Sequence, residues 1–522
     1  MKAQRKHIKV TYSSLDSPDP LLHDYYEEDV ATTKQNLGKT YPMFINGEWC
    51  ESGETFTKHS PIDTDLIIGH FYAAQQSDVD DAVAAAQAAL PAWRDTAWEE
   101  RVAYLEKAAN LISERLFEIS AVVSLEVGKN RLEAIGEIEE AADLIRYSIQ
   151  AMRDNNGFTR SMASESDRHH NTSVLKPYGI WGVISPFNFP AALSGNPTGA
   201  ALIAGNTVVH KPANDAPLTT YMLAQCFQDA GLPAGVYNMI PGGDEPGKAL
   251  VAHPDIDGLT FTGSYDVGMR ILRKFSTSAG YIRPVITEMG GKNPTIITAN
   301  ADIEKAVSGV MRAGFGLTGQ KCSACSRVFV HQDVKDVFVN KLIAMTEALN
   351  VGDPTRPDVF MGPLINETSY NAYKKYIEEL SEHGTILTGG KVPDLGNGYY
   401  VTPTVVDNLA DDHYLWQHEM FAPIITIKSY SDREQAMAEA NNIDLGLTAG
   451  FYSENQQEID WFLDKIEAGV VYVNRASSAT TGAWPGYQAF GGWKASTGTG
   501  KGAGSNHYLQ QYMREQSLTI VD

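Results

Sequence analysis

From Gly179 onward, short apolar runs alternate with amphipathic stretches. The runs are "GIWGVISPF", "NTVVHKPA" (206–213), "VYNMIPGG" (236–243), "GLTFTGS" (258–264) and "PVITEMGGK" (284–292). Between two of them, "LTTYMLAQCFQDAG" (218–231) places Leu218, Met222 and Phe227 at helical spacing and stops at a glycine. Buried strands alternating with helices predict a parallel, doubly wound α/β sheet, which binds ligands at the carboxyl ends of its strands. A second alternating region follows. "ADIEKAVSGVMRAGF" has apolar residues at 303, 306, 307, 310 and 311, one face of a helix, and leads through "GLTGQKCSACS" into the strand "RVFVH". Helices near 335–349, 367–382 and 432–440, with strands "APIITIKSY" and "GVVYVN", complete a second α/β unit. Upstream, "YPMFINGEWCE" (41–51) predicts two strands joined at Asn46-Gly47, and Ser77 with Asp80 suggests a capping box before "VAAAQAAL". Residues 1–40 form a polar extension, and 157–178 breaks the helical pattern as a protruding hairpin would. The predicted units are 1–40, 41–156 with 179–288, 289–490, and 157–178 with 491–522.

Composition narrows the function. The chain has 522 residues and a formal charge of -22. So acidic a surface repels nucleic-acid phosphates and anionic lipid, and neither is expected as a partner. Residues 1–30 lack a signal peptide's apolar core, and no apolar run is long enough to span a bilayer, so a cytoplasmic protein is expected. The four cysteines are Cys50, Cys226, Cys322 and Cys325. They make no disulfide framework, and without a second C-x-x-C or a paired H-x3-5-H no metal site is expected.

Several motifs carry chemistry only in combination. Gly242–Ala249 nearly matches a phosphate loop, but Ala249 replaces the magnesium-binding Ser/Thr and two acidic residues lie inside it, so an ordinary turn is the better reading. "FTGSYDVG" (261–268) can present the N–H groups of Gly263 and Ser264 to an anion at a helix start. Taken singly, Glu288 is a strand-end carboxylate, Asn188 in "VISPFNFP" a turn residue, and the Cys322/Cys325 pair small packing residues. Together they are a thiol, a carboxylate and an amide at the ends of separate strands: a nucleophile, a general base and an oxyanion donor. With an anion-binding turn nearby, they suit thiol attack on an aldehyde and hydride transfer to a phosphorylated cofactor. A thiol–disulfide exchange pair would sit at a helix N-terminus, whereas this C-x-x-C follows a helix and enters a strand.

"SPFNFP", "NTVVHKPA", "FTGS", "EMGGK", "GQKCSACSR", "HEMFAP" and "AFGG" resemble, in order and spacing, the NAD(P)-dependent aldehyde dehydrogenase superfamily from about residue 41 to the C-terminus. The resemblance implies a Rossmann-like cofactor domain (41–156 and 179–288), a catalytic domain (289–490) and an oligomerisation β-flap (157–178 and 491–522), hence a homo-oligomer, whether dimer, tetramer or hexamer. It assigns Cys322 as nucleophile, Asn188 with the Cys322 N–H as oxyanion site, and Glu288 as general base. Cys325 is left as a bystander. Cofactor positions by resemblance are Ser185, Pro186, Phe187, Lys211, Asn214, Gly263, Ser264, Gly290, Glu419 and Phe421. Asn214 stands where the family often has Glu, so NADP is expected to be usable as well as NAD. His418, Ala422 and Ala489 are further departures, at loop positions. "GQKCSACSR" with "TTGAWPGYQAFGG" is most similar to the branch that oxidises L-glutamate γ-semialdehyde, the open form of 1-pyrroline-5-carboxylate, late in proline breakdown. That likeness implies a substrate-carboxylate anchor at Ser323, Gly482 and Ala483, and aromatic walls at Phe189, Trp484 and Phe490. The alternative is another ω-semialdehyde or an aromatic aldehyde.

Overall fold

A computed structural model describes the whole chain except residues 1–4, 7, 12, 13, 477–480 and 482. Gly482, one of the expected carboxylate anchors, therefore lies outside the described residues. Two seven-stranded sheets organise the molecule. In the first, Val285–Glu288, Gly258–Thr262, Ile180–Ile184, Thr207–Lys211 and Tyr237–Met239 lie side by side and parallel. The hairpin Met43–Ile45 and Glu48–Cys50 continues it antiparallel. Its turn uses Asn46 and Gly47 at φ 54° and 82°, the left-handed pair that a two-residue hairpin demands. The second sheet runs Thr385–Thr388, Thr404–Asp407, Ile424–Tyr430, Cys325–His331, Asn293–Ile297, Thr448–Tyr452 and Val470–Val473, with only the first strand antiparallel.

The inner strands are buried on both faces, which is why they read as unbroken apolar runs, whereas the edge strands Glu48–Cys50 and Thr385–Thr388 are partly exposed. Four of the five residues of Ile180–Ile184 and of Thr207–Lys211 are buried, and each strand becomes more accessible at its last residue, where the loops begin. The helix from Gln76 to Asp95 starts earlier than the sequence pattern suggests. Its box is made by Asp78, whose carboxylate accepts from Gln75 N at 2.7 Å, and Ser77 and Asp80 fall inside the helix.

The antiparallel flap combines Met513–Val521, His169–Pro177 and Thr159–Ser161, pairing the chain end with the predicted hairpin residue for residue from Met513–Pro177 to Val521–His169. The N-terminal extension is more than a polar fringe. Its helix Pro20–Asn36 buries Leu22 and Tyr26 against the helix Leu116–Val127, and Tyr26 donates to Ser124 Oγ at 2.6 Å. Among the described residues, no helix is long and apolar enough to cross a membrane, and no group of three or more His, Cys, Asp or Glu could hold a metal ion.

Candidate active site

The nucleophile loop begins where the helix Ile303–Phe315 ends. Leu317 and Thr318 follow in the left-handed region, at φ 47° and 57°, a strained conformation for side chains of their size. Their neighbours over-determine it. Leu317 N donates to Glu133 Oε2 at 3.0 Å, Thr318 Oγ1 donates to Gly362 O at 2.9 Å, and Gln320 Oε1 accepts from Ile365 N at 2.9 Å. Lys321, next to the nucleophile, pairs with Glu133 Oε1 at 2.5 Å. A Cβ at Gly316 would lie 2.6 Å from the Lys321 ammonium and 2.9 Å from Glu133 Oε1, so a larger residue there would displace this ion pair.

Beyond the thiol, Asn293 clamps the loop from the adjacent strand. Its Nδ2 donates to Cys322 O at 2.7 Å and Ala324 O at 2.8 Å, while its Oδ1 accepts from Thr448 N at 2.9 Å. Sequence reading missed Asn293, Glu133 and Lys321. Asn293 carried a signal only through its place in "EMGGKNP" and Lys321 through standing next to the cysteine, while Glu133 carried none. Replacing Asn293 by Ala is expected to lower kcat about 10- to 100-fold, because two carbonyls lose the donor that fixes the thiol. Cofactor affinity is expected to stay within about 2-fold, and steady-state kinetics with a cofactor titration checks the split.

Cys322 opens into a cavity of about 410 Å³ that Glu288 also lines. Burial in that cavity pushes the thiol up to about 12, and the carboxylates Glu419 and Glu288 add to the rise. Cys325 has a different setting. It begins the strand Cys325–His331, is buried among core side chains, and its Sγ lies 3.2 Å from Thr295 Oγ1. Both thiols are free.

Asn188 reaches the same loop, donating from Nδ2 to Gln320 O at 3.0 Å. Glu288 ends its strand with Oε2 accepting from Thr497 Oγ1 at 2.8 Å, while Oε1 is buried and accepts no hydrogen bond from the protein. Burial raises this carboxyl to about 8, with the Thr497 bond opposing. Thr497 comes from the glycine-rich stretch near the C-terminus, which bridges back onto the strand end at Glu288.

The expected cofactor residues gather along the carboxyl ends of the first sheet. Lys211 ends one strand, and its backbone carbonyl accepts from Ser185 N at 3.2 Å. Desolvation lowers its ammonium to about 8, against the pull of Asp244 and Asp215. The Asn214 amide, oriented by its partners, bridges the next loop, donating to Gly242 O and accepting from Gly243 N at 3.2 Å. The rejected phosphate-loop match thus forms part of the same cleft. The Ser185 hydroxyl turns inward, 2.8 Å from His210 Nε2. Phe187 meets Phe421 edge to face with centroids 6.0 Å apart; Pro186 precedes it in the same loop.

One expectation needs correcting. The Gly263 N–H does not face an anion, because it donates to Glu288 O at 3.1 Å. Glycine is required there by packing, since a Cβ would sit 2.5 Å from the Phe261 ring. Ser264, the N-cap of the helix Tyr265–Phe275, is where that turn can first offer an N–H to a ligand. Across from it, Glu419 Oε1 accepts from Gly291 N at 2.9 Å, and a Cβ on Gly290 would lie 1.9 Å from Glu419 Oε2. These groups fit a dinucleotide: a parallel sheet with loops at the carboxyl ends of its strands, a half-buried lysine at one strand end, and a carboxylate over a bare glycine.

Of the expected substrate residues, Phe189, Ser323, Ala483, Trp484 and Phe490 all line the Cys322 cavity. Trp484 Nε1 donates to Asp143 Oδ2 at 3.0 Å, and Ala483 N donates to Thr481 Oγ1 at 3.2 Å. The wall also includes Leu15 and Pro18 of the N-terminal extension, which sequence reading had placed on the surface.

Residues 49–518 match the model of the aldehyde dehydrogenase family. The chain belongs to this family and is an NAD(P)-dependent aldehyde-oxidising enzyme. It is 37% identical over 500 residues to 1-pyrroline-5-carboxylate dehydrogenase of Bacillus subtilis, covering 95% of each chain. It is 36% identical over 510 residues to the protein of the same name from Staphylococcus saprophyticus, covering 97% of this chain and 98% of that one. Among solved structures it is similar to 1-pyrroline-5-carboxylate dehydrogenase from Thermus with bound NAD, with TM-score 0.94, 30% identity and full coverage of both chains.

Proposed function

We propose that the enzyme oxidises L-glutamate γ-semialdehyde, the open form of 1-pyrroline-5-carboxylate, to L-glutamate, with NAD as the main acceptor and NADP also accepted. The observation that carries this reading is the company Cys322 keeps. Ser323, whose hydroxyl is a neutral donor suited to a carboxylate, and Ala483, whose own N–H is taken by Thr481 Oγ1, line its cavity together with three aromatic walls. The relatives named above, similar along almost their whole length, support it.

The chain's own residues account for the chemistry. Cys322 gives its proton to solvent and attacks the aldehyde carbon, a C–S bond forming as the C=O π bond breaks, and the carbonyl oxygen becomes the oxyanion that Asn188 Nδ2 and the Cys322 N–H would hold. Lys211, Ser264 and Glu419 are the groups that would hold the dinucleotide. When bound, it supplies the acceptor for the hydride that leaves the former aldehyde carbon. Water then attacks the thioester carbon while giving a proton to Glu288 Oε1, the C–S bond breaks to release the carboxylic acid, and Glu288 passes that proton to the departing Cys322 thiolate, which restores both groups. A second copy of the chain is the proposed partner. In support, Ile520 and Val521 on the flap's last strand are 64% and 58% exposed.

The substrate assignment predicts that kcat/KM for pyrroline-5-carboxylate exceeds that for short aliphatic aldehydes by at least about 10²-fold, and that Ser323→Ala lowers the first about 10-fold while leaving the second unchanged. Assays of the purified enzyme with NAD and NADP in turn check both points. Equal activity on aldehydes lacking a carboxylate would favour the alternative substrates.

A further inference from the structure

The oxyanion amide Asn188 and the wall ring Phe189 share one loop, between the strand Ile180–Ile184 and the helix Ala192–Ala204. Pro186 and Pro190 flank this pair and donate no backbone N–H, so the loop needs anchors from outside. It has one at its exit. Ala191 N and Ala192 N donate to Glu137 Oε1 at 2.7 and 3.4 Å. These are among the first N–H groups of the helix, which have no acceptor within it. Glu137 Oε2 in turn lies 2.5 Å from Lys129 Nζ, and both side chains are fully buried. The same ammonium sits 3.6 Å from the centre of the Phe189 ring. One buried cation thus touches both the ring beside Asn188 and the carboxylate that holds the loop's far end.

Resting on the reading that Asn188 binds the oxyanion, we infer that the Lys129–Glu137 pair positions Asn188 and Phe189 for the reaction. Burying two charges yields little net stability even when they are paired, whereas it fixes geometry. Glu137 also shares its helix, Arg131–Asp154, with Glu133, which holds Leu317 and Lys321 of the nucleophile loop. The spacing between the two oxyanion donors, the Asn188 amide and the Cys322 N–H, is therefore set from one rigid element. Lys129 and Glu137 act through the Phe189 ring and the Ala191 and Ala192 N–H groups, so they are positioning residues.

The test is a double-mutant cycle on the full-length enzyme, using the aldehyde it turns over fastest. The variant Lys129→Met with Glu137→Gln removes both charges together and keeps an oxygen acceptor for Ala191 N. Its kcat is expected to fall about 10- to 100-fold with the KM for NAD within about 2-fold. In an Asn188→Ala background the same change is expected to cost under about 2-fold, because the residue it positions is gone. Wild-type kcat in the paired variant, or an equal loss in both backgrounds, overturns the inference. Full activity in Asn188→Ala alone overturns the oxyanion reading and the inference with it. If the paired variant does not fold, Glu137→Gln alone is put through the same cycle with the same two criteria.

Discussion

Cys322→Ala is expected to lower aldehyde oxidation at least about 10⁴-fold, while Cys325→Ala keeps kcat within about 3-fold. The two thiols lie three residues apart, and burial raises both to about 12, so proton affinity does not separate them. Their surroundings do. Cys322 shares a cavity with Glu288, on a loop tied down by Asn293, Lys321 and Gln320. Cys325 faces Thr295 and the core between sheet and helices, where no aldehyde can reach it. A thiol held neutral at rest must lose its proton as it attacks, so the reaction depends on a base as well as on the cysteine. Steady-state assays of both variants, with mass spectrometry of acid-quenched enzyme to trap the thioester, check the assignment. Loss of activity in Cys325→Ala would restore the redox-pair reading of the motif.

Glu288→Gln is expected to cut turnover about 10³-fold while sparing the first half of the reaction. One equivalent of reduced cofactor per site should still form in a rapid burst, because hydride transfer precedes the water step. The pH dependence carries a sign. A carboxyl raised to about 8 is protonated, and useless as a base, at lower pH. Where hydrolysis limits turnover, kcat in the parent enzyme should therefore rise roughly tenfold per pH unit below about 8 and level off above it. Glu288→Gln should lose that limb. Thr497→Val removes the one hydrogen bond that lowers this carboxyl, and should move the limb to higher pH. A burst that vanishes together with turnover in Glu288→Gln would place this residue in the attack step instead.

Much of the fold was legible because strands buried on both faces cannot hide. The runs ending at Ile184, Lys211, Thr262 and Glu288 all became parallel strands of one sheet, and "YPMFINGEWCE" became its hairpin edge. Less legible were features that depend on contacts distant in sequence. The helix starts at Gln76 because Asp78, two residues before the Asp80 that the pattern suggested, supplies the box. Gly263 was read as an anion donor, since nothing local shows that the Glu288 carbonyl, 25 positions later in the chain, takes its N–H. The burial of Leu22 and Tyr26 in the N-terminal extension was invisible, because a helix with a modest apolar face resembles a solvated one until its partner is known.

The sequence by itself determined the two α/β units and the family, and it singled out Cys322, Glu288 and Asn188 as the trio proposed to react, because these readings rest on local periodicity and on ordered motifs. Only the tertiary structure decided that Cys322 opens into the cavity while Cys325 is buried in the core, that Oε1 of Glu288 accepts no hydrogen bond from the described residues, and that Glu133 and Asn293 tie down the Cys322 loop while Glu137 takes the N–H groups of Ala191 and Ala192. Those are properties of distance and burial. They arise when strands and helices far apart in the chain pack together, and no spacing along the chain encodes them directly.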